Sequence, residues 1–567
     1  MIARVLPNVS GLDKTFDFEV PADWTLALGD LVRIELHGRR VGGWVVGLDP
    51  DDAHVGELKP LAKRTGCGPS AEIIELAEWA AIRWAGRRRH FLHAGSPRRA
   101  VVALGSPRRS GATISPHSPA TERVLNEGGG VVRLPPTSDP LPVIASAARL
   151  GPTVVIVASV ETASVLAGRL RHGGLTVAQV PDEWAAAASG VDVVIGGRLA
   201  AWSPCRDLAA IVVLDEHDEA LRDESSPTWH ARDVAIERGR RQGVPVAVVS
   251  PCPTVDVLEW RSPVVPPPER EGRAWPVVEV VDRTGEEPWK RSLMTSALIA
   301  ELRDSERTVV CVSNTTGRAR VLACRSCRDL TRCEVCDAAV GLDDDDTLRC
   351  GRCGAQRPAV CQACGGTRFA NLRPGVTRLR EEIEAAAGRP AVLVTAKGPQ
   401  CPPVAGVYVG TEAALHRVPA ASTVAFLDID REILAPRYRA GEQAMALIVR
   451  AARLVGPGYR GGKILLQTFV PDHDVIRAAA AADPGVMVGP DRERRQMLGL
   501  PPFGAYAEVS GAGSEEFVAS LSGDVRIGGS EGRYLIRCDD WMTLGQVLRD
   551  GVRPSGSRLR VAVDPPR

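Results

Sequence analysis

Four C-x2-C pairs fall between residues 324 and 364: Cys324/Cys327, Cys333/Cys336, Cys350/Cys353 and Cys361/Cys364, eight of the chain's fourteen cysteines. A C-x2-C pair on a tight turn brings two sulfurs onto one face, and two pairs complete a tetrahedral shell of four sulfurs with Zn–S near ~2.3 Å. The spacing therefore predicts two zinc ions. Four thiolates leave no open position for a substrate, so their role is architectural. Disulfides are disfavoured because the other six cysteines are scattered and the opening residues lack the apolar run of a secretion signal. The four pairs can close as neighbours, interleaved or nested. Gaps of five and seven residues flanking one of thirteen suggest nesting. The outer site would be Cys324, Cys327, Cys361 and Cys364, and the inner site Cys333, Cys336, Cys350 and Cys353. An aspartate run, residues 343–346, marks a solvated turn at the inner hairpin's tip and argues against a phosphate lying there.

At 567 residues the chain should divide into three to five domains. Its hydrophobic fraction of 44% suits a globular protein, and no apolar stretch nears the ~18 residues of a membrane span. A cytoplasmic setting with no membrane partner is expected. The formal charge of +1 becomes about −3 once two zinc ions and eight thiolates are counted. Global charge gives no reason for nucleic-acid binding, but local charge does. Between Trp79 and Thr121 there is no Asp or Glu, while Arg83, Arg87, Arg88, Arg89, Arg98, Arg99, Arg108 and Arg109 all carry positive charge. Such a block is an electrostatic footprint for phosphates, a solvated linker being the alternative.

Along the chain, short alternating strands over residues 1–66 predict a small N-terminal β-barrel. An amphipathic helix, 71 to about 88, and a Pro/Ser/Gly/Arg-rich connector occupy 67–119. Apolar runs alternating with helical stretches predict one parallel α/β lobe at 120–262 and a second at 263–323 and 365–484. The zinc module, 324–364, is inserted into the second lobe, and a small α+β domain fills 485–567. Two such lobes in tandem invite a nucleotide motor, which needs a G-x4-G-K-[ST] phosphate loop. The only Gly-Lys step, Gly462-Lys463, lacks the following hydroxyl.

The runs Ile195-Gly196-Gly197-Arg198-Leu199-Ala200, Leu214-Asp215-Glu216-His217-Asp218, His230-Ala231-Arg232-Asp233 and Ser250-Pro251-Cys252-Pro253 follow the order and spacing of the first motor lobe of bacterial replication-restart helicases. The cysteine pattern fits the same family. So do the opening Arg4-Val5-Leu6-Pro7 with Phe16-Asp17-Phe18, the Leu500-Pro501-Pro502-Phe503 motif, and the closing Arg560-Val561-Ala562-Val563-Asp564-Pro565. The chain thus resembles the primosomal protein N-prime (PriA) family over nearly its full length. The resemblance implies two RecA-like lobes and a barrel that takes the 3′ end of a leading strand with Phe16, Asp17, Gly38 and Lys59. Arg87, Arg88 and Arg89 are the basic block's candidate phosphate contacts. The connector is short for the family's winged-helix domain, which is expected to be truncated.

Departures fall on the groups that handle ATP. Where the family carries its phosphate loop, residues 134–144 read LPPTSDPLPVI, with neither glycine nor lysine. Aligned on the following His-Ala-Arg-Asp, Leu214 replaces the magnesium aspartate, although a one-residue slip would restore Asp215 to that role. The late arginine motif best fits residues 450–457, leaving Leu454 and Pro457 where arginines should stand. Since phosphoryl transfer is mostly positioning and charge stabilisation, these losses predict a degenerate helicase, no enzyme, with ATP and magnesium not expected. The implied function is replication restart at the nucleoid: binding stalled forks and single-stranded DNA, and reloading the replicative helicase with single-stranded DNA-binding protein and other primosome components. An active ATP-driven 3′-5′ translocase and a zinc-ribbon adaptor for proteins are the alternatives.

Overall fold

The N-terminal strands alternate buried and exposed residues, the pattern of a sheet with one face on a core. In this computed structural model, which describes every residue except 55, 113, 116, 287–292, 314–321, 344–346, 352, 372–375, 396–405, 531, 555, 557, 566 and 567, they are β1 (Ile2–Pro7), β2 (Phe16–Glu19), β3 (Leu31–Leu36), β4 (Arg39–Leu48) and β5 (Lys63–Gly66). They pair antiparallel in the order β2-β1-β4-β3-β5. Ala3, Val5, Phe18, Val32, Ile34 and Val45 fill the concave side. The barrel predicted from sequence is not closed by a strand pair. β2 stays an edge; among the described residues its main chain meets the segment ahead of β5 where Glu19 N donates to Lys59 O and Leu61 N to Glu19 O, both at 3.0 Å.

The helix Ala71–Arg83 stops short of its predicted end because Ala85 adopts a left-handed conformation (φ 47°), and a second helix, Arg88–Gly95, begins after the turn. The connector that follows has no helix or strand among its described residues before 119. It is laid on the first lobe through Gly105 N to Ser189 Oγ (2.9 Å) and Arg108 N to Gly190 O (2.8 Å).

Runs such as Ala210–Leu214 have no polar alternation and so no face to offer water, and they fold as strands buried on both sides. The first lobe contains β6 (Gly130–Arg133), β7 (Thr153–Ile156), β8 (Val177–Val180), β9 (Val193–Gly196), β10 (Ala210–Leu214), β11 (Val246–Ser250) and β12 (Pro263–Val264), all parallel in the order β12-β6-β11-β10-β7-β9-β8. The second lobe opens with β13 (Val277–Asp282) and β14 (Val309–Val312). The cysteine module interrupts it with short strands β15 (Leu322–Cys324), β16 (Val340–Leu342), β17 (Thr347–Cys350), β18 (Gln356–Pro358) and β19 (Phe369–Asn371). β20 (Ala391–Val394), β21 (Val407–Gly410), β22 (Thr423–Phe426) and β23 (Lys463–Thr468) complete a parallel sheet ordered β13-β23-β22-β14-β21-β20. The chain thus carries two parallel α/β lobes in tandem. The last domain is an antiparallel sheet of β24 (Ala505–Ser510), β25 (Arg526–Ser530), β26 (Arg533–Cys538) and β27 (Arg560–Val563).

The outer units are joined to the first lobe by shared core. One continuous apolar cluster runs from Leu6 and Trp44 through the helix Ala71–Arg83 to Val213 in β10 and to Val509 and Val563 in the last domain. Its spine is a row of aromatics, Trp79, Trp84, Phe91, Trp202 and Trp229, with successive centroids 5.3 to 6.2 Å apart. Where the helix Trp541–Asp550 crosses Ala71–Arg83, a Cβ on Gly545 would stand 1.9 Å from the Ile82 carbonyl oxygen, so only glycine allows that approach. Beside it the Arg83 guanidinium lies 3.8 Å from the Trp541 ring centroid.

Candidate metal centres and nucleic-acid interface

Each C-x2-C pair folds by the same local rule. The residue after the second cysteine is left-handed: Arg328 (φ 70°), Asp337 (φ 58°), Gly354 (φ 77°) and Gly365 (φ 72°). In all four turns that residue's N–H donates to the carbonyl of the first cysteine, whose own N–H donates to the carbonyl one residue further on, with N···O distances from 2.8 to 3.0 Å. The turns group the sulfurs as two nested sets, Cys324/Cys327/Cys361/Cys364 and Cys333/Cys336/Cys350/Cys353. Between pairs, Cys324 Sγ lies 3.5 Å from Cys364 Sγ, Cys327 from Cys361 3.5 Å, Cys333 from Cys353 3.4 Å and Cys336 from Cys350 3.5 Å. These separations exceed a disulfide's ~2.05 Å and are near the edge of a tetrahedron built on ~2.3 Å Zn–S bonds. Both sets fit zinc. Ser326 N and Val335 N point at Cys324 Sγ and Cys333 Sγ at 3.4 Å, the amide donors that stabilise thiolate charge. The module rests on the second lobe where Ala339 N donates to Leu434 O at 2.6 Å. Of the aspartate run, residues 344–346 lie outside the described residues, and Asp343 pairs with Arg349 at 2.9 Å.

The four residues assigned to a 3′-end pocket are placed around the free β2 edge and one hairpin tip. Adjacent strand residues point to opposite faces. Phe16 accordingly packs partly against the sheet's core while Asp17 faces outward. Asp17 is not a free carboxylate: Arg4 Nε donates to Oδ1 at 2.8 Å, Arg4 Nη2 to Oδ2 at 3.0 Å and His54 N to Oδ2 at 2.9 Å. The Arg4 hydrogen bonds hold its pKa below the usual aspartate value despite burial. Lys59 is exposed and its backbone bonds β2 at Glu19. Gly38 sits with His37 at the β3–β4 tip, both left-handed (φ 75° and 47°), as a two-residue hairpin turn requires.

The arginine block is less uniform than its sequence. Arg83 is buried, with its pKa pushed down to about 10 by that burial against the pull of Asp233. Arg88 N and Nη2 bond Asp13, tying the second helix to the first domain. Arg98 pairs with Asp182 at 3.2 Å and Arg109 with Asp207 at 2.8 Å. Among the described residues no ion pair engages Arg87, Arg89, Arg99 or Arg108, and these four remain available to phosphate.

Between the lobes, a cavity of about 540 Å³ is lined by Arg198, His217, Asp218, Glu412, Arg450 and Arg453, among others. Leu214 is the last residue of β10 and buried; Asp215, left-handed at φ 57°, is the first group beyond the strand. Arg453, on the second lobe's helix Ala440–Val455, clamps Asp215 with Nη1 to Oδ2 at 2.7 Å and Nη2 to Oδ1 at 2.5 Å, and its Nε donates to Pro136 O at 3.0 Å. Arg450 pairs with Asp218 one turn earlier. Glu216, inside the first lobe, is pushed up to about 7 by burial, opposed by Arg232 3.2 Å away.

Sequence reasoning missed the buried ionic joint at Asp564. Its carboxylate, 1% exposed, accepts from Arg222 Nη1 (2.8 Å) of the first lobe and from Tyr438 Oη (2.6 Å) and Arg439 Nη1 (2.9 Å) of the second. Asp564 belongs to the closing motif, which was the available signal.

The chain therefore combines a two-lobed parallel α/β body, an inserted module of paired cysteines and an N-terminal antiparallel sheet. The PriA "3′DNA-binding domain (3′BD)" matches residues 4–97. Replication restart protein PriA of Thermotoga maritima is 29% identical over 374 residues, 60% of this chain and 49% of that protein. The "Probable replication restart protein PriA" of Mycobacterium tuberculosis is 26% identical over 568 residues, 89% of this chain and 85% of that protein. A solved structure of the DUF1998 helicase MrfA bound to DNA covers 76% of this chain and is itself covered to 60%, with a TM-score of 0.35 and 12% identity. The chain spans about half the length of several of the PriA proteins it matches, those of Thermotoga and Bacillus subtilis among them. The chain is thus similar to replication restart proteins PriA, over its N-terminal 3′DNA-binding domain match and, for the mycobacterial protein, over nine-tenths of its length.

The expectation that the chain is no enzyme is thereby corrected, since a helicase family aligned over nine-tenths of the chain points to enzymatic activity. At the cleft the strand end presents Asp215, the residue that a one-residue slip of the acidic motif would place in the magnesium role, and the helix Ala440–Val455 presents Arg450 and Arg453.

Proposed function

We propose that this protein acts in replication restart, in the cytoplasm at the nucleoid, binding stalled or forked DNA at a 3′ end through residues 4–97. It then helps reload the replicative helicase with single-stranded DNA-binding protein and other primosome components. The observation that carries this reading is the 3′DNA-binding domain match, which spans the β2 edge bearing Phe16 and Asp17, together with Lys59 and Gly38. An aromatic for a base or sugar, an acceptor for a terminal 3′-OH and a lysine for phosphate suit that ligand. Arg87 and Arg89 supply a sequence-blind term that weakens with salt.

The test is a binding series at fixed salt on forks whose leading strand ends in 3′-OH or 3′-phosphate. Wild type should favour the hydroxyl end, because a phosphate places negative charge against Asp17. Losing a charge-assisted bond costs about 1.5 to 3 kcal/mol, roughly tenfold to a hundredfold in affinity. Asp17→Ala should erase the discrimination, while an Arg87/Arg89 double alanine, which spares the structural Arg88, should weaken both ends alike. Equal wild-type affinity for the two ends would remove the pocket.

A second reading, an ATP-driven translocase, is favoured by the meeting of Asp215, Arg450 and Arg453 in the cleft between lobes. A DNA-dependent ATP hydrolysis that vanishes in Asp215→Asn supports it; hydrolysis indifferent to that change removes it.

A further inference from the structure

Arg4 lies in the middle of β1, directly opposite Asp17 on β2 and opposite Gly47 on β4, at the point where the β1–β4 register shifts between Arg4 and Val5. Such an irregularity re-aims a side chain. Gly47 leaves room for the Arg4 stem, since a Cβ there would stand 3.2 Å from Arg4 Cβ. The guanidinium reaches two targets at once. One edge grips the Asp17 carboxylate; the other bonds Asp52, Nη1 to Oδ1 at 2.7 Å and Nη2 to the main-chain O at 3.1 Å. His54 N, two residues on, closes the loop back onto Asp17 Oδ2, and Asp49 Oδ1 takes the Ile2 N–H at 2.6 Å. Residues 49–54 are thus strapped across β1 and β2.

A carboxylate offers about four acceptor positions. Oδ2 of Asp17 already receives two donors and Oδ1 only one, so a single direction at Oδ1 is left for a ligand. We infer that Arg4 is the positioning residue of the 3′-end site, fixing through Asp17 and Asp52 both the acceptor that meets a terminal O3′–H and the strap that walls the β2 edge. The inference rests on the 3′-end reading above. Lysine would keep the charge but lose the fork, because only a planar guanidinium grips a carboxylate by two parallel bonds and still bonds a second group.

The charged and titratable groups facing this carboxylate are Arg4 from β1 and Asp52 and His54 from the strap. With Arg4 gone, burial and the neighbouring Asp52 carboxylate both favour protonation of Asp17. Its pKa then rises above the usual ~3.9, and a protonated Asp17 ceases to be a charged acceptor.

The experiment compares fork affinity for leading strands ending in 3′-OH and in 3′-H, from about pH 8 to about pH 5.5, for the full chain, Arg4→Lys and Arg4→Met. Wild type should favour 3′-OH about tenfold at every pH. Arg4→Lys should cut the ratio to about threefold and keep it flat with pH. Arg4→Met should start near threefold and lose all preference in mild acid. A ratio and pH profile equal to wild type in either variant overturns the inference while leaving the 3′-end reading standing. No wild-type preference removes both. Should Arg4→Met fail to fold, Arg4→Lys alone decides, since a merely structural arginine predicts an unchanged ratio in whatever protein remains folded.

Discussion

Cys333→Ser is expected to release one zinc ion per chain and leave the other in place, and Cys350→Ser to do the same. The two sulfur sets share no cysteine, and each is closed by its own pair of turns. Apparent binding energies for structural zinc in small peptides are about 10 to 16 kcal/mol, so loss of the inner ion should melt the β16–β17 hairpin between its knuckles. The outer turns and the β15–β19 pair, which register Cys324 against Phe369, do not depend on that hairpin. Cys324→Ser should do broader damage, because the outer set ties the two ends of the module together. Metal analysis of the purified variants, with amide exchange across residues 322–371, reads both outcomes. A single substitution that empties both sites would show that the tetrads are not independent.

That the cysteine module was legible, and the arginine block was not, follows from the range of the interactions concerned. A C-x2-C turn is made by residues within five positions of one another, and the left-handed residue that closes each turn follows the second cysteine directly. The charge of the block depends on partners such as Asp233, Asp182 and Asp207, which no local window contains. The cleft lies between. The run Ala210–Leu214 is apolar throughout, so its last member had to be strand and its successor, Asp215, the first group free to face the other lobe. The open edge of β2 was illegible for a different reason: whether a curled sheet closes depends on one contact between Glu19 and the segment at Lys59, which carries no sequence signature.

Asp564→Ala should destabilise the protein by about 3 to 5 kcal/mol, more than any change at the cleft surface. The reasoning turns on what is left behind. Arg222 is 2% exposed in its side chain and Arg439 6%, and both point their guanidinium groups at this one carboxylate from different lobes. Removing one partner of a buried charge pair strands the other, and here two arginines lose a carboxylate at once. Arg439 retains Asp256 at 2.9 Å, whereas among the described carboxylates Arg222 keeps only Glu219, 3.8 Å away. By contrast the Arg453–Asp215 pair stands partly in solvent, where such pairs contribute about 1 kcal/mol or less. Burial disfavours the Asp564 charge, but Arg222 and Arg439 outweigh it and hold the pKa well below the usual carboxylate range. A folded-state pKa depressed in this way stabilises the native state above the unfolded value of ~3.9 and is lost only as pH falls through the folded value. The wild-type joint should therefore survive mild acid intact. In Asp564→Ala the thermal midpoint should already be lowered at neutral pH, and β27, held to β24 in register, should exchange its amides faster, since its charged link to the two lobes is gone while the Ser226 and Thr228 hydroxyls and the Arg222 bond to the residue-564 carbonyl still tie it to the first. Thermal unfolding with amide exchange decides it: a cost below about 1 kcal/mol would mean that water or rotamer change rescues Arg222, and that the last domain is held by its apolar contacts with the helix Ala71–Arg83 and by the Ser226 and Thr228 hydroxyls on β27.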